Sequence, residues 1–164
     1  DAYSKKLCWL CGQPLGQYFA FVIGPMCSIN RVSSEPPSHR DCAEYAVKAC
    51  PFLNQPKMRR NEKDIPVSGT MAGIGIMHNP GAVVIWITKS FRPIKAGNGI
   101  LFEVGPPLET LWFTEGRTAS RDEVDAAINK GLPYLRNMAE QDGPGGNIEL
   151  EKRYKEALKL LPAE

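Results

Sequence analysis

The residues best suited to chemistry in this chain are three cysteines and a histidine set as two close pairs. Cys8-Trp9-Leu10-Cys11 carries two thiols on one short loop, and Gly12 behind them permits the sharp turn that aims both sulfurs at one point. His39-Arg40-Asp41-Cys42 forms the second pair. It follows Pro36-Pro37-Ser38 and opens the apolar-periodic run CAEYAVKAC, the pattern of a helix N-terminus. Positions three apart on a helix share a face, so His39 and Cys42 are expected to converge. Together Cys8, Cys11, His39 and Cys42 offer the four nitrogen and sulfur ligands of a closed tetrahedral zinc site. A site closed by four protein ligands is structural. It contributes folding energy and leaves no open position where a metal-bound water could attack a substrate.

The chain has five cysteines, Cys8, Cys11, Cys27, Cys42 and Cys50, all in its first third. An odd, clustered set argues against a disulfide framework and for metal. Cys27 is the alternative to His39 as fourth ligand. Cys50 lies eight residues beyond Cys42, a separation of about 12 Å along a continuous helix, too far to share the ion. It is expected in the core, on a face with Cys42, Ala46 and Ala49.

These ligands need elements to position them. Residues 17–23 and 28–32 flank Gly24-Pro25 and read as the arms of a β-hairpin. Knuckle, hairpin, then a helix carrying the second ligand pair resembles the treble-clef zinc finger over residues 5–50. The 27 residues between the pairs make a longer gap than in short classical fingers. The expected organisation is a zinc-finger module over 1–53, a linker or surface loop over 54–66 and an α+β domain over 67–164.

In the second part, GAVVIWITK (81–89), GILFEVG (99–105) and ETLWFTE (109–115) read as strands, with a turn at Gly105-Pro106-Pro107. Their short spacing predicts an antiparallel meander. The last third is helical. Ser120 and Glu123 form a capping box, with Val124, Ala127 and Ile128 on one apolar face. Gly131 and Pro133 predict a break, followed by a short helix to Met138. Gly143-Pro144-Gly145-Gly146 reads as a loop, and Asn147 as the cap of a final helix with Leu150, Tyr154, Ala157, Leu158 and Leu161 at helical spacing. No internal repeat is visible.

Other residues could carry chemistry. His78 precedes the strongest strand, but Asn79-Pro80-Gly81 is a good turn in itself and no partner ligand or acid is identifiable. Lys57, Arg59 and Arg60 form a basic cluster after the finger, and Arg31 and Arg40 add charge to it. Lys89, Arg92 and Lys95 lie in an expected loop. With Trp86 and Trp112 these residues could present a nucleic-acid surface of phosphate contacts and stacking rings. Arg117, near the Ser120 helix start, could grip an anion or pair with a neighbouring carboxylate. Gly73, Gly75 and Gly81 lack the spacing of a phosphate-binding loop. No nucleophile–base pairing is evident.

With 43% apolar and 23% charged residues among 164, the chain can build a core and need not be disordered. A formal charge of +2 neither announces nor excludes a nucleic-acid binder, because a local patch matters more than the total. No apolar run approaches the ~20 residues needed to cross a bilayer. Reduced thiols fit a cytoplasmic setting. No signal peptide is seen, although the sequence opens on Asp1 rather than Met, which leaves targeting partly open.

CWLCGQPLG, FVIGPMC and NRVSSEPPSHRDCAEYAVKACPFL, followed by NPGAVVIW, EGRTASRDEV and GLPYLR, resemble a family of uncharacterised proteins encoded by bacteriophages and prophages. The resemblance covers nearly the whole chain and implies the cytoplasm of a bacterial host, without implying an activity. The expected function is a non-enzymatic accessory protein that binds nucleic acid through Arg31, Arg40, Lys57, Arg59 and Arg60, braced by structural zinc. The alternatives are a protein–protein module or inhibitor of a host factor, and an enzyme acting on a nucleotide or nucleic acid with His78 and Arg117 in one cleft.

Overall fold

Val83–Thr88 (β3) is the centre of the structure because apolar layers cover both of its faces. All six residues, VVIWIT, are buried, as expected of a β-branched and aromatic run with no polar face to give to water. The computed structural model describes residues 2–54 and 81–164, and the linker or loop expected at 54–66 lies almost wholly outside them.

Phe19–Ile23 (β1) and Pro107–Thr114 (β6) flank β3, and Arg117–Thr118 (β7) completes a four-stranded antiparallel sheet of order β1-β3-β6-β7. A second antiparallel sheet, of order β2-β5-β4, is built from Val32–Ser33 (β2), Phe91–Ala96 (β4) and Gly99–Val104 (β5). The expected strands are therefore present and antiparallel, but they do not form a meander. Gly105-Pro106-Pro107 carries the chain from one sheet to the other, so β5 and β6 are not partners. Gly105 has no room for a side chain there: an added Cβ would overlap the Ser90 hydroxyl and lie 2.7 Å from the Ser90 carbonyl oxygen. Arg92 and Lys95 lie on β4, not in a loop.

The hairpin expected around Gly24-Pro25 is replaced by a short helix. Gly24 caps Pro25–Asn30 (α1), with Pro25 in its first turn, a placement in which proline's missing N–H costs nothing. β1 pairs with β3 and β2 with β5, so the two would-be hairpin arms belong to different sheets. The hairpin of the treble-clef resemblance is therefore absent.

Arg40–Ala49 (α2), followed by Pro51–Asn54 (α3), covers one face of the main sheet. Ala43 and Val47 pack there against Ala20, Val83, Ile85, Ile87 and Phe113. The buried face of α2 is thus Ala43 and Val47, one position off the expected face. Ala49 is exposed and Cys50 half-buried. On the other face, Phe21, Val84, Trp86 and Trp112 meet α1, the second sheet and two long helices, Arg121–Gln141 (α4) and Pro144–Leu158 (α5).

The capping box at Ser120 and Glu123 starts α4 as read from the sequence. The helix does not break at Pro133. That residue and Asn129, whose carbonyl loses its donor, are both exposed, while Leu132, Leu135 and Ala139 are buried. Their burial offsets an interior proline's cost of about 3 kcal/mol. Gly131 is inside the helix too, where an added Cβ would come within 2.9 Å of Met26 Cγ and Sδ. Gly143, at φ +92°, replaces Asn147 as cap, and Pro144-Gly145-Gly146 is the first turn of α5 rather than a loop.

Candidate metal centre

The N-terminal segment turns back on itself before the first strand. Leu7 bridges to Pro14, the Cys8 amide donates to the Gln13 carbonyl at 2.8 Å, and the Gly12 amide to the Cys8 carbonyl at 2.8 Å. Gly12 sits at φ +75°, where its lack of a Cβ removes the strain. The loop is anchored to the rest of the fold by the Trp9 amide on the Pro37 carbonyl at 3.4 Å. Ser38 in turn exchanges two backbone bonds with Ala20 of β1. Ser38 Oγ also donates to the Ala20 carbonyl at 3.2 Å.

His39 is the N-cap of α2, with extended backbone, and Cys42 stands three residues on. A cap side chain and the third helical residue face each other, the geometry that otherwise closes a capping box. Here the facing groups are an imidazole and a thiol. Cys8, Cys11, His39 and Cys42 bring one ligand atom each to within 4.8 Å of the others, and so could hold a metal ion. Cys11 Sγ and Cys42 Sγ lie 3.4 and 3.7 Å from His39 Nδ1. His39 Nε2–H donates to the Pro14 carbonyl at 2.9 Å. That bond leaves Nδ1 bare and aimed at the sulfurs, the orienting role that a backbone carbonyl commonly plays behind a ligating histidine.

The thiols are not equivalent. Cys8 is fully buried. Burial pushes its pKa up, but backbone N–H donors of Cys11, His39 and Leu10 and the Cys11 side chain outweigh this and hold it down at about 7. Cys42 is pushed up to about 11, first by burial and then by the Cys11 and Cys8 thiols beside it. Cys8 is thus the thiol most ready to ionise and Cys42 resists ionisation, a resistance that a bound divalent cation would overcome. All five cysteines are free of disulfides. Cys27 lies on α1, half-buried against the core, and is not a member of the cluster.

The remaining candidates are not gathered around this centre. Arg40 makes a bidentate pair with Glu109 at 2.7 and 3.1 Å and also meets Glu44. Arg31, at φ +56°, lays its guanidinium over the Trp86 ring at 5.8 Å. Trp86 and Trp112 are 1% and 5% exposed, which buries the rings proposed for base stacking; their Nε1 groups donate to the Gly105 and Leu160 carbonyls. Arg117 is held by Glu123 at 2.6 Å and by Glu115 at 3.6 Å. Lys57, Arg59, Arg60 and His78 lie outside the described residues.

Three large residues that the sequence reading passed over stand exposed: Trp9 and Leu10, between the two knuckle cysteines, and Tyr18, just before β1. The signal was available. In a C-x2-C loop whose sulfurs point inward, the two residues between them point out, and here both are large and apolar. Among the described residues no helix is long and apolar enough to cross a membrane. Comparison with protein-family models, curated proteins and solved structures gives no match.

Proposed function

We propose that this protein is a non-enzymatic nucleic-acid-binding protein braced by a structural zinc ion on Cys8, Cys11, His39 and Cys42. The convergence of those four ligand atoms is the observation that supports the zinc part of the reading. Zinc–sulfur and zinc–nitrogen bonds of about 2.3 and 2.0 Å set the S···N edges of a tetrahedron at about 3.5 Å. The two S···N separations here, 3.4 and 3.7 Å, straddle that value. Three sulfurs and one imidazole are a donor set that favours zinc over the oxygen-seeking cations.

The ion's role is to tie the knuckle to the start of α2, so that a loop with little core of its own takes one shape. A knuckle and a ligand-bearing helix support a zinc-finger-like site. Four protein ligands leave no site for metal-activated water, which supports a binding role over hydrolysis.

The test has two readings. The purified chain is expected to hold one zinc ion and to retain random-sequence nucleic acid at low salt, with retention falling as salt rises. Metal-free folded protein would contradict the first half, and absence of retention at low salt the second.

A further inference from the structure

The acidic residues are unevenly placed, and the fold turns that unevenness into a surface. None of the chain's 18 Asp and Glu residues falls within 2–34 or 81–102, which together carry Lys5, Lys6, Arg31, Lys89, Arg92 and Lys95. The first segment supplies the knuckle and β1, the second β3 and β4. Pairing of Phe19 with Thr88 joins them, and it sets Lys89 against Tyr18, with Nζ 5.5 Å from the ring centroid.

A row of edge-on aromatic contacts extends from this corner. Phe19 meets Phe91 at 5.0 Å, Phe91 meets Phe102 at 6.1 Å, and Phe102 meets Tyr3 at 5.3 Å. The Tyr3 carbonyl accepts from the Lys6 amide at 3.2 Å, which brings Lys5 and Lys6 to the far end of the row. The knuckle rises from the same place, since the Lys6 carbonyl accepts from Leu15 at 2.8 Å. Trp9 is 43% exposed and Tyr18 55%.

The positive charge here is available. Arg40, Arg92, Arg117, Arg121, Arg136 and Arg153 are each closed on a carboxylate. Lys5, Lys6 and Lys89 meet no carboxylate among the described residues. An exposed ring beside ammonium groups that meet no carboxylate among the described residues matches the chemistry of a phosphodiester strand with unpaired bases. Phosphates take the lysines, and any base can stack on a ring. A duplex hides the base faces that Trp9 and Tyr18 would stack on. Lys89 on one face of Tyr18 leaves the other face for a base.

We infer that this face binds a single-stranded polynucleotide, with phosphates on Lys5, Lys6 and Lys89 and bases on Trp9 and Tyr18. The inference rests on the nucleic-acid reading above and moves the contact away from Arg31 and Arg40, which are engaged within the fold.

The test is fluorescence anisotropy of a labelled oligothymidylate of about 12 nucleotides, a length within the range that one binding module covers. It is titrated with the zinc-loaded full chain at several salt concentrations. Affinity is expected to fall with salt at a slope of about −0.7 per phosphate contacted. Combining Lys5→Glu, Lys6→Glu and Lys89→Glu should flatten that slope by about two and weaken binding more than tenfold at low salt. Tyr18→Ala should weaken it roughly tenfold, a usual effect for one stacking ring. Tyr134→Ala, on α4 and 61% exposed, should leave it unchanged. Circular dichroism and zinc content verify that each variant is folded. The lysine variants keep the rings, and the ligand side chains are untouched in all of them. If the lysine and Tyr18 variants bind like the parent, this surface is wrong and the nucleic-acid reading survives. Preference for duplex over single strand would also overturn the surface. If the parent itself does not bind at low salt, both fall.

Discussion

His39 donates its Nε2–H to the Pro14 carbonyl at 2.9 Å, and in doing so turns Nδ1 toward Cys11 and Cys42. One ring therefore links the knuckle to the first turn of α2 on both of its nitrogens. The candidate metal centre joins segments far apart in sequence, and loss of an ion from it should act on the joint before it acts on the cores.

Chelation, or His39→Ala, is expected to lower the melting temperature and to expose the amides of residues 2–16 to hydrogen exchange. β3 and β6 should stay protected, because the apolar layers around them do not need the ion. The loss should amount to several kcal/mol, below the ~10 kcal/mol or more seen when zinc alone folds a small peptide. Exchange mapped by mass spectrometry reads this directly. Uniform protection across 2–16 in metal-free protein would contradict it.

Arg40 and Glu109 clamp α2 to β6 from 69 positions apart in sequence, and Glu44 completes the pair on the helix side. The carboxylates hold the Arg40 pKa above its ordinary value. The side chains are 47% and 43% exposed, so water screens them. A double-mutant cycle of Arg40→Ala and Glu109→Ala should give a coupling of about 0.5–1 kcal/mol, smaller at high salt. A coupling of zero at low salt would mean the clamp contributes nothing.

Glu123 closes the capping box of α4 and also receives Arg117. The Arg117 guanidinium, followed by the Ser120 N–H, holds its carboxyl at about 2 rather than 4.5. A depressed carboxyl contributes stability that is complete above its unfolded pKa and is lost as pH falls through the folded one. The stability gap between the parent and Glu123→Gln should therefore shrink as pH drops from 4.5 to about 2. Ser120→Ala should cost about 1 kcal/mol at neutral pH. Urea unfolding at stepped pH tests both, and a gap that ignores pH through that window would count against the ion pair.

Two glycines should respond in opposite directions to alanine. At Gly105 the new Cβ would strike Ser90 and lie 2.9 Å from Thr88 Oγ1, at the crossing between sheets. Gly105→Ala should destabilise by more than about 2 kcal/mol, as overpacking against backbone does. At Gly145, in the first turn of α5, nothing lies within 4 Å of the added carbon. Gly145→Ala should stabilise by about 0.5 kcal/mol by restricting the unfolded chain. Thermal melts of the two variants decide this.

The four candidate ligands were legible because a cation imposes its own spacing on sequence, here three positions apart both on the loop, Cys8 and Cys11, and at the helix start, His39 and Cys42. β3 and the capping box were legible because each is decided locally, by six apolar residues in a row and by two side chains three apart. What misled was context. Gly24-Pro25 fits a hairpin turn and a helix cap equally well, and only the pairing of β1 with β3 decides between them. Lys89, Arg92 and Lys95 read as loop residues, yet Arg92 and Lys95 lie on β4, an edge strand where polar residues and Pro93 are tolerated. Pro133 signals a break that buried Leu132 and Leu135 override. Trp86 and Trp112 looked available for stacking until two covered faces buried them, while Trp9 and Tyr18, with no such layer, stayed outside.

Zinc-edge X-ray absorption on the purified chain, with metal content measured on the same sample, tests the centre most directly. The expected result is one zinc per chain with three sulfurs at about 2.3 Å and one nitrogen at about 2.0 Å. A folded protein without zinc, or a shell of mostly oxygen ligands, would contradict it.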